Sequence, residues 1–348
     1  MNRQVFKLSE YDFGIPKELI AQKPALPRDA CRLLVLDRKK KAIKQGIFSD
    51  VVDYFEAGDV LVLNDTKVIK ARLTAHKETG AKIEVLLLKN VGLSRWEALV
   101  NPGRRARVGD ELLFDGSGVK AKIIGKTDQG LRVLEFNVKD LDRFLQDFGT
   151  VPLPPYIKKE TKRFGYYQTV FAKQEGAIAA PTAGLHFTKN LIRKLANKGV
   201  NIVYITLHCG LATFRPVKTD DIRKHKIESE WIEISPQVAK IINSAKKEGK
   251  RIVAVGTTVI RALESVAKEI DKMSFIAQDF CGLTNLYIVP GYKFKLVDSV
   301  ITNFHTPAST NLILTCAFAS LSFIRQGYEH AASNNFKFYS LGDAMLIV

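Results

Sequence analysis

Apolar positions fall along this chain in three textures. In the first sixty residues two runs are almost continuous, Arg32–Asp37 (RLLVLD) and Asp59–Asn64 (DVLVLN). Both have strand length and neither alternates, the pattern of strands buried on both faces. Pro16–Ala21 reads as a short helix with Pro at its start. From about Val68 to Phe136, short β-rich runs recur at spacings near ten residues: Ala71–Ala75, Lys82–Leu88, Trp96–Val100, Glu111–Phe114, Lys120–Ile124 and Leu131–Phe136, with Gly and Asp-Gly between them. They predict a small antiparallel barrel or sandwich. VPLPPY (Val151–Tyr156) then reads as a linker.

Beyond Tyr167 the two periods alternate. Helices are expected at Asn190–Lys198, Pro236–Glu248, Thr258–Glu269 and Thr310–Ser320. Strands are expected at Asn201–Leu207, Arg251–Val255, Leu286–Val289 and Val300–Thr302. This predicts an α/β main domain with a mixed, largely parallel sheet, made from residues 1–67 plus 155–348. Residues 68–154 are expected to form an inserted small antiparallel β-barrel domain with its linker.

Composition narrows the class. With 348 residues, 46% hydrophobic and 26% charged, the chain is neither disordered, collagen-like nor a small disulfide scaffold. No apolar run nears the ~20 residues of a membrane span. The first twelve residues carry Glu10 and Asp12 and no apolar stretch, so no signal peptide is read and a cytoplasmic location is expected. Cys31, Cys209, Cys281 and Cys316 are far apart and contain no CxxC, which suits free thiols in a reducing compartment. No heptad is evident, and a monomer is expected.

Charge points to a partner. The formal net charge is +17, and Thr150–Ile227 alone holds 14 Lys and Arg against 4 Asp and Glu. Tyr156, Phe164, Tyr166 and Tyr167 interleave with Lys158, Lys159, Lys162 and Arg163. Cations that track phosphates beside rings that stack bases suit RNA with unpaired nucleotides.

Ligands of α/β sheets sit beyond the carboxyl ends of strands. Four segments fall there. In AAPTAGLHFT (Ala179–Thr188), Pro181, Ala183 and Gly184 keep the backbone approachable, while Thr182 and His186 are polar. A buried, hydrogen-bonded His186 is the alternative. In TLHCGLATFRPV (Thr206–Val217), His208 ends a strand and Arg215 is a fork for a carboxylate or phosphate, or else a solvated turn residue. In AVGTTVIRALES (Ala254–Ser265), Gly256, Thr257 and Thr258 open a helix suited to an anion or nucleotide. Arg261 and Glu264 there read equally as a surface ion pair. In TNFHTPAST (Thr302–Thr310), Asn303 and His305 end a strand, and Ser309 or Thr310 caps a helix. GxGxxG, GxxxxGK[ST], GxSxG and HExxH are absent, and no metal-ligand spacing occurs. The residues alone describe an α/β enzyme with a strand-end, nucleotide-like site that acts on RNA.

The same four segments, in this order, resemble the S-adenosylmethionine:tRNA ribosyltransferase-isomerase family of the queuosine pathway. So do RDACRLLVLDR (Arg28–Arg38), VLNDTKVIKARL (Val62–Leu73), VPLPPYIKK (Val151–Lys159), YQTVFA (Tyr167–Ala172), IVPGYKF (Ile288–Phe294) and FYSLGDAMLI (Phe338–Ile347). AAPTAGLHFT and GDAMLI are the most specific. Glu228 stands where the family usually has His, Ala212 for Gly, Lys70 for Pro, Ala308 for Lys and Asn285 for Asp.

The resemblance implies an α/β domain with an inserted β-barrel, and transfer of the ribosyl group of S-adenosylmethionine to 7-aminomethyl-7-deazaguanine at the tRNA wobble position. Isomerisation then gives epoxyqueuosine-tRNA, adenine and methionine. It implies no metal or further cofactor, since S-adenosylmethionine is consumed as co-substrate, and no membrane or obligate protein partner. A base must remove the ribose C5′ proton; the order of preference is His186, His305, His208, and each serves equally to orient ribose hydroxyls. Asp65, Thr182, Arg215, Thr257, Thr258, Glu264, Asn303 and Asp343 are the expected substrate contacts. Among them, Arg215 would take the methionine carboxylate and Glu264 a ribose diol or the amine. Lys158, Lys159, Lys162 and Arg163 are the expected tRNA contacts. Two rivals remain: a catalytically degenerate tRNA-binding member, suggested by Glu228, and an RNA methyltransferase, whose Gly-rich first loop is missing.

Overall fold

A computed structural model describes residues 3–92, 94–158, 164–210, 216–270, 273–276 and 279–348. The chain forms two compact units. One comprises Met1–Lys67, Pro155–Gln174 and Ala180–Val348; the other comprises Val68–Pro154 and Glu175–Ala179.

The second unit is a closed barrel. Its strands run Arg132–Phe136, Arg95–Asn101, Lys82–Gly92, Arg72–His76, Glu111–Phe114, Lys120–Lys126 and back to Arg132–Phe136, all antiparallel. Alternation fills it: Ile83, Val85 and Leu87 are fully buried, as are Leu112 and Ile123. Phe114 stacks on Phe136 at 5.4 Å, and Phe144 of the helix Leu141–Phe148 meets Phe114 edge-on at 5.5 Å. Closure leaves no strand edge to pair with other chains.

The first unit is built on nine strands in the order Phe280–Thr284, Glu230–Ile234, Asn201–Leu207, Val60–Asn64, Ile252–Val255, Ser299–Asn303, Ala344–Ile347, Arg32–Asp37, Ala42–Ile47. The four from Asn201–Leu207 to Ser299–Asn303 are parallel to one another. Ala344–Ile347 lies antiparallel to Ser299–Asn303 and parallel to Arg32–Asp37, so among the described residues it is the strand that joins the Arg32–Ile47 hairpin to the rest of the sheet. At the other edge the pairings are antiparallel. Every residue of Val60–Asn64, Ile252–Val255, Ser299–Asn303 and Ala344–Ile347 is buried, which is why these strands are continuously apolar or short-polar. Leu33, Val35, Leu61, Leu63, Val253 and Ile301 pack there with Phe48, Phe187, Leu191 and Leu195 from the helical layer.

Three expectations fail locally. Leu286–Val289 is not a strand: the Leu286 N–H donates to Thr284 Oγ1 and its carbonyl accepts from Arg261 Nε, so side chains replace a ladder. The edge strand is Phe280–Thr284 instead. The helix expected to reach Glu269 ends at Val266, because Ala267–Ile270 pairs with Met273–Ile276. Pro16–Ala21 holds only the 3-10 turn Lys17–Leu19. Among the described residues no helix is long and apolar enough to cross a membrane. Cys31, Cys209 and Cys316 are buried free thiols and Cys281 an exposed one.

Candidate active site

The parallel strands end on one cleft of about 280 Å³. Gly256 follows Ile252–Val255, Asn303 closes Ser299–Asn303, and Cys209 lies two residues past Leu207; all three line it, with Thr182, His305 and Tyr339. Behind it, Asn64 ties two strand ends together. Its amide donates to the Leu207 carbonyl at 2.9 Å and to Thr258 Oγ1 at 3.4 Å, and its oxygen accepts the Thr66 and Leu207 N–H groups at 3.1 Å. Gly256 turns the chain into the helix Thr257–Val266 at φ +89°, the left-handed region that favours glycine. A Cβ there would also lie 3.5 Å from the Ala183 methyl. Thr257 and Thr258 line the cleft from this helix start, and Thr257 donates to Asn311 Oδ1 at 2.9 Å. Ser309 caps the helix Thr310–Ala319 by accepting from the Leu312 N–H.

His305 lines the cleft. Its Nε2 lies 2.8 Å from Thr302 Oγ1, and its backbone N–H donates to the Tyr328 hydroxyl at 2.6 Å. Burial pushes its imidazole down to about 3, so it is neutral at physiological pH.

His186 is fully buried and does not line the cleft. Its Nδ1 is 3.1 Å from Cys31 Sγ and its Nε2 2.9 Å from Asn303 Nδ2, while Phe48 packs on the ring at 5.1 Å. Burial, and then the nearby Arg28 guanidinium, hold it well below the usual histidine range. Both nitrogens are occupied and no ring atom is exposed, so the first-ranked base of the sequence reading touches the cleft only through Asn303. His208 stacks on Trp231 at 5.0 Å and contacts Thr66 Oγ1 at 2.7 Å through Nδ1; burial lowers its pKa. It too is absent from the cleft lining.

Two acids expected at the substrate are bonded to the backbone. Glu264 is buried and accepts the backbone N–H groups of Lys295, Leu296 and Val297 at 2.8, 2.9 and 3.0 Å, and the Tyr292 hydroxyl at 3.2 Å. Asp343 accepts the Arg32 and Lys337 N–H groups at 2.8 and 2.6 Å, and burial raises its pKa. Both carboxylates accept backbone amides, and neither residue lines the cleft. Arg261 is no surface partner of Glu264: it forms a buried ion pair with Glu230, which in turn accepts the Gly210 N–H at 2.8 Å. Asp65 accepts from Thr206 Oγ1 at 2.7 Å and faces a second cavity, of about 560 Å³, with Lys173 and Glu233; burial raises its pKa.

Over this geometry the kinship is unambiguous. The family model described as "Queuosine biosynthesis protein" matches residues 8–347. The chain belongs to this family. Its similarity to curated members runs end to end. It is 49% identical over 345 residues to the S-adenosylmethionine:tRNA ribosyltransferase-isomerase of a Sulfurihydrogenibium species, and 46% identical over 342 to that of Thermotoga maritima. Each alignment covers 98% of this chain and 100% of the relative. A crystal structure of S-adenosylmethionine tRNA ribosyltransferase from Thermotoga maritima aligns at 37% identity and TM-score 0.56, covering 97% of this chain and 100% of that one.

In this queuosine biosynthesis family member, Ala308 occupies φ +52°, held by its N–H on the Tyr11 carbonyl and by its carbonyl under the Val217 N–H, both 3.0 Å. Tyr339, at φ +71°, is a cleft residue the sequence reading passed over; its ring lies 4.9 Å from Tyr156, whose hydroxyl is 2.5 Å from Ser340 Oγ. Its only sequence signal was membership of FYSLGDAMLI. Lys158 is exposed. Lys159, Lys162, Arg163 and Arg215 lie outside the described residues. Among the described residues no group of three or more His, Cys, Asp and Glu is arranged to hold a metal ion.

Proposed function

We propose that the chain is an S-adenosylmethionine:tRNA ribosyltransferase-isomerase, which places the ribosyl group of S-adenosylmethionine on 7-aminomethyl-7-deazaguanine at the tRNA wobble position and isomerises it to the epoxycyclopentanediol of epoxyqueuosine. The observation that carries this reading is the end-to-end kinship with relatives of that name, joined to a strand-end cleft made from the motif segments. The reaction consumes S-adenosylmethionine as a substrate, releases adenine and methionine, and balances without an external oxidant or reductant.

His305 is the base of this reading. It faces the cleft, and Thr302 orients its ring. Thr182, Thr257, Thr258 and Asn303 supply polar contacts to the sugar and its leaving groups. Holding two large substrates in register contributes several kcal/mol of the barrier reduction. The basic, aromatic-rich stretch from Thr150 holds the tRNA.

The test is incubation with S-adenosylmethionine and tRNA carrying the 7-deazaguanine base. Adenine and methionine in equal amounts are expected. S-adenosylhomocysteine would mean methylation, and tRNA binding without turnover would mean a degenerate member; either overturns the reading. His305→Ala should slow the chemical step by ~10²–10⁴-fold at little cost in affinity.

A further inference from the structure

Four side chains run in single file from the cleft into the core: Thr182, Asn303, His186 and Cys31. Each contact has a direction that elementary donor counting fixes. The Tyr339 carbonyl, 3.3 Å from one terminal atom of Asn303, can only accept, so that atom is the amide nitrogen. The same nitrogen lies 2.9 Å from His186 Nε2, which must therefore accept. A neutral imidazole then carries its proton on Nδ1, which faces Cys31 Sγ at 3.1 Å. At the other end Asn303 Oδ1 can only accept, so the Thr182 hydroxyl donates to it at 3.0 Å. The single hydroxyl proton of Thr182 is thus turned inward.

We propose that Cys31 and His186 are positioning residues that sustain this polarity, which the Tyr339 carbonyl selects, so that the cleft presents acceptors, the lone pairs of Thr182 Oγ1 and Asn303 Oδ1, to hydrogen-bond donors of the ligand. The opposite arrangement is easy to write. With the proton on Nε2, His186 would donate, Asn303 would turn its oxygen inward, the Tyr339 carbonyl would lose its partner, and Thr182 would aim its proton at the cleft. The Tyr339 carbonyl, which can only accept, selects the first arrangement, and the Cys31 thiol, able to donate or accept, completes it by accepting from Nδ1–H. Water cannot substitute for it, because Cys31 and Asn303 are each 3% exposed and His186 is fully buried. The identity of the ligand rests on the function proposed above: the donors of S-adenosylmethionine are its ribose hydroxyls, the adenine amino group and the methionyl α-ammonium.

Two measurements test this apart from catalysis. In ¹⁵N-histidine-labelled protein, NMR should show His186 with its proton on Nδ1 and a bare Nε2, unchanged from pH 5 to 9; a protonated Nε2 overturns the proposal whatever the enzyme's substrate. In equilibrium binding, Cys31→Ala should weaken S-adenosylmethionine by about 5- to 150-fold, the span of a typical coupling between a cleft and a group that acts on it through other side chains. Cys31→Ser, which keeps an acceptor, should recover most of that loss. Unchanged affinity in a folded Cys31→Ala protein refutes the positioning role, and if that variant does not fold, the NMR result on the wild type still decides. The 2′-deoxy, 3′-deoxy, N6,N6-dimethyl and deaminated (lacking the α-amino group) analogues of S-adenosylmethionine identify the donor. At least one should bind wild type more weakly by a similar factor and lose nothing further in Cys31→Ala; full affinity for all four refutes the acceptor rim. Adenine release by the wild type reports on the proposed function separately.

Discussion

Glu264→Ala should release the segment Tyr292–Val297 from the helix Thr257–Val266. One carboxylate holds that segment: Oε2 takes the Lys295 N–H and the Tyr292 hydroxyl, and Oε1 takes the Leu296 and Val297 N–H groups. Leu296 is fully buried and Val297 is 5% exposed, so their amides have no water to turn to. A buried amide without an acceptor costs about 1–3 kcal/mol. Two of them, after partial relaxation, set a local loss of about 3 kcal/mol. Glu264→Gln keeps an acceptor for Leu296 and Val297 but turns an NH₂ group toward the Lys295 N–H, for about 1 kcal/mol. A chain of two compact units need not unfold in one step, so local opening is the informative observable. Hydrogen exchange of the Leu296 and Val297 amides should be faster by about 100-fold in Glu264→Ala and by about 5-fold in Glu264→Gln, at 1.4 kcal/mol per decade. If exchange is unchanged while S-adenosylmethionine affinity collapses, Glu264 is a substrate contact after all, and the reasoning from its hydrogen bonds is wrong.

Arg261→Ala should cost about 3–5 kcal/mol, because it strands the Glu230 carboxylate in the core. Paired replacement Arg261→Met with Glu230→Leu should cost less in urea denaturation; an equal or larger loss would contradict this. Burial lowers the pKa of His305 to about 3, and those of His186 and His208 below the usual range. The unfolded chain therefore binds more protons than the folded one between about pH 6.5 and 3, so stability should fall as pH drops through that window and stay flat in these groups above pH 7. Urea midpoints at pH 7.5 and 4.5 check the sign, and His305→Asn should reduce the slope. Replacing Lys158, Lys159, Lys162 and Arg163 with Ala should weaken tRNA binding and flatten its salt dependence by roughly 0.7–0.9 log–log units per lost phosphate contact. An unaltered slope would place these charges on a solvated face.

Strand location was legible where burial is two-sided. Val60–Asn64 and Arg32–Asp37 read directly as apolar runs, because nothing in their surroundings asks for polarity. The site was legible as segments: Thr182, Thr257, Thr258, Asn303 and His305 do converge on one cleft. The roles within the segments were not. Spacing of three placed Arg261 beside Glu264, but spacing carries no information on what lies across the helix. There, Glu230 and the Tyr292–Val297 backbone captured the two side chains separately. His186 sits in the most specific motif yet faces Cys31, a neighbour 155 residues away that no local pattern could supply. Leu286–Val289 has strand composition without a strand partner, since its first residue is bonded to the side chains of Thr284 and Arg261.

The position of Ala344–Ile347 between Ser299–Asn303 and Arg32–Asp37 has a consequence for the order in which the molecule can be made. On a ribosome the Arg32–Ile47 hairpin emerges early, but its only route into the nine-stranded sheet is a strand translated some three hundred residues later. Until then Leu33, Leu34, Val35 and Leu36 have one hydrogen-bonding edge unfilled. The barrel, drawn mostly from the contiguous stretch Val68–Pro154, can meanwhile close on local contacts. A chain interrupted before Ala344 would hold a finished barrel and a sheet broken in two, with sticky edges exposed on either side of the gap.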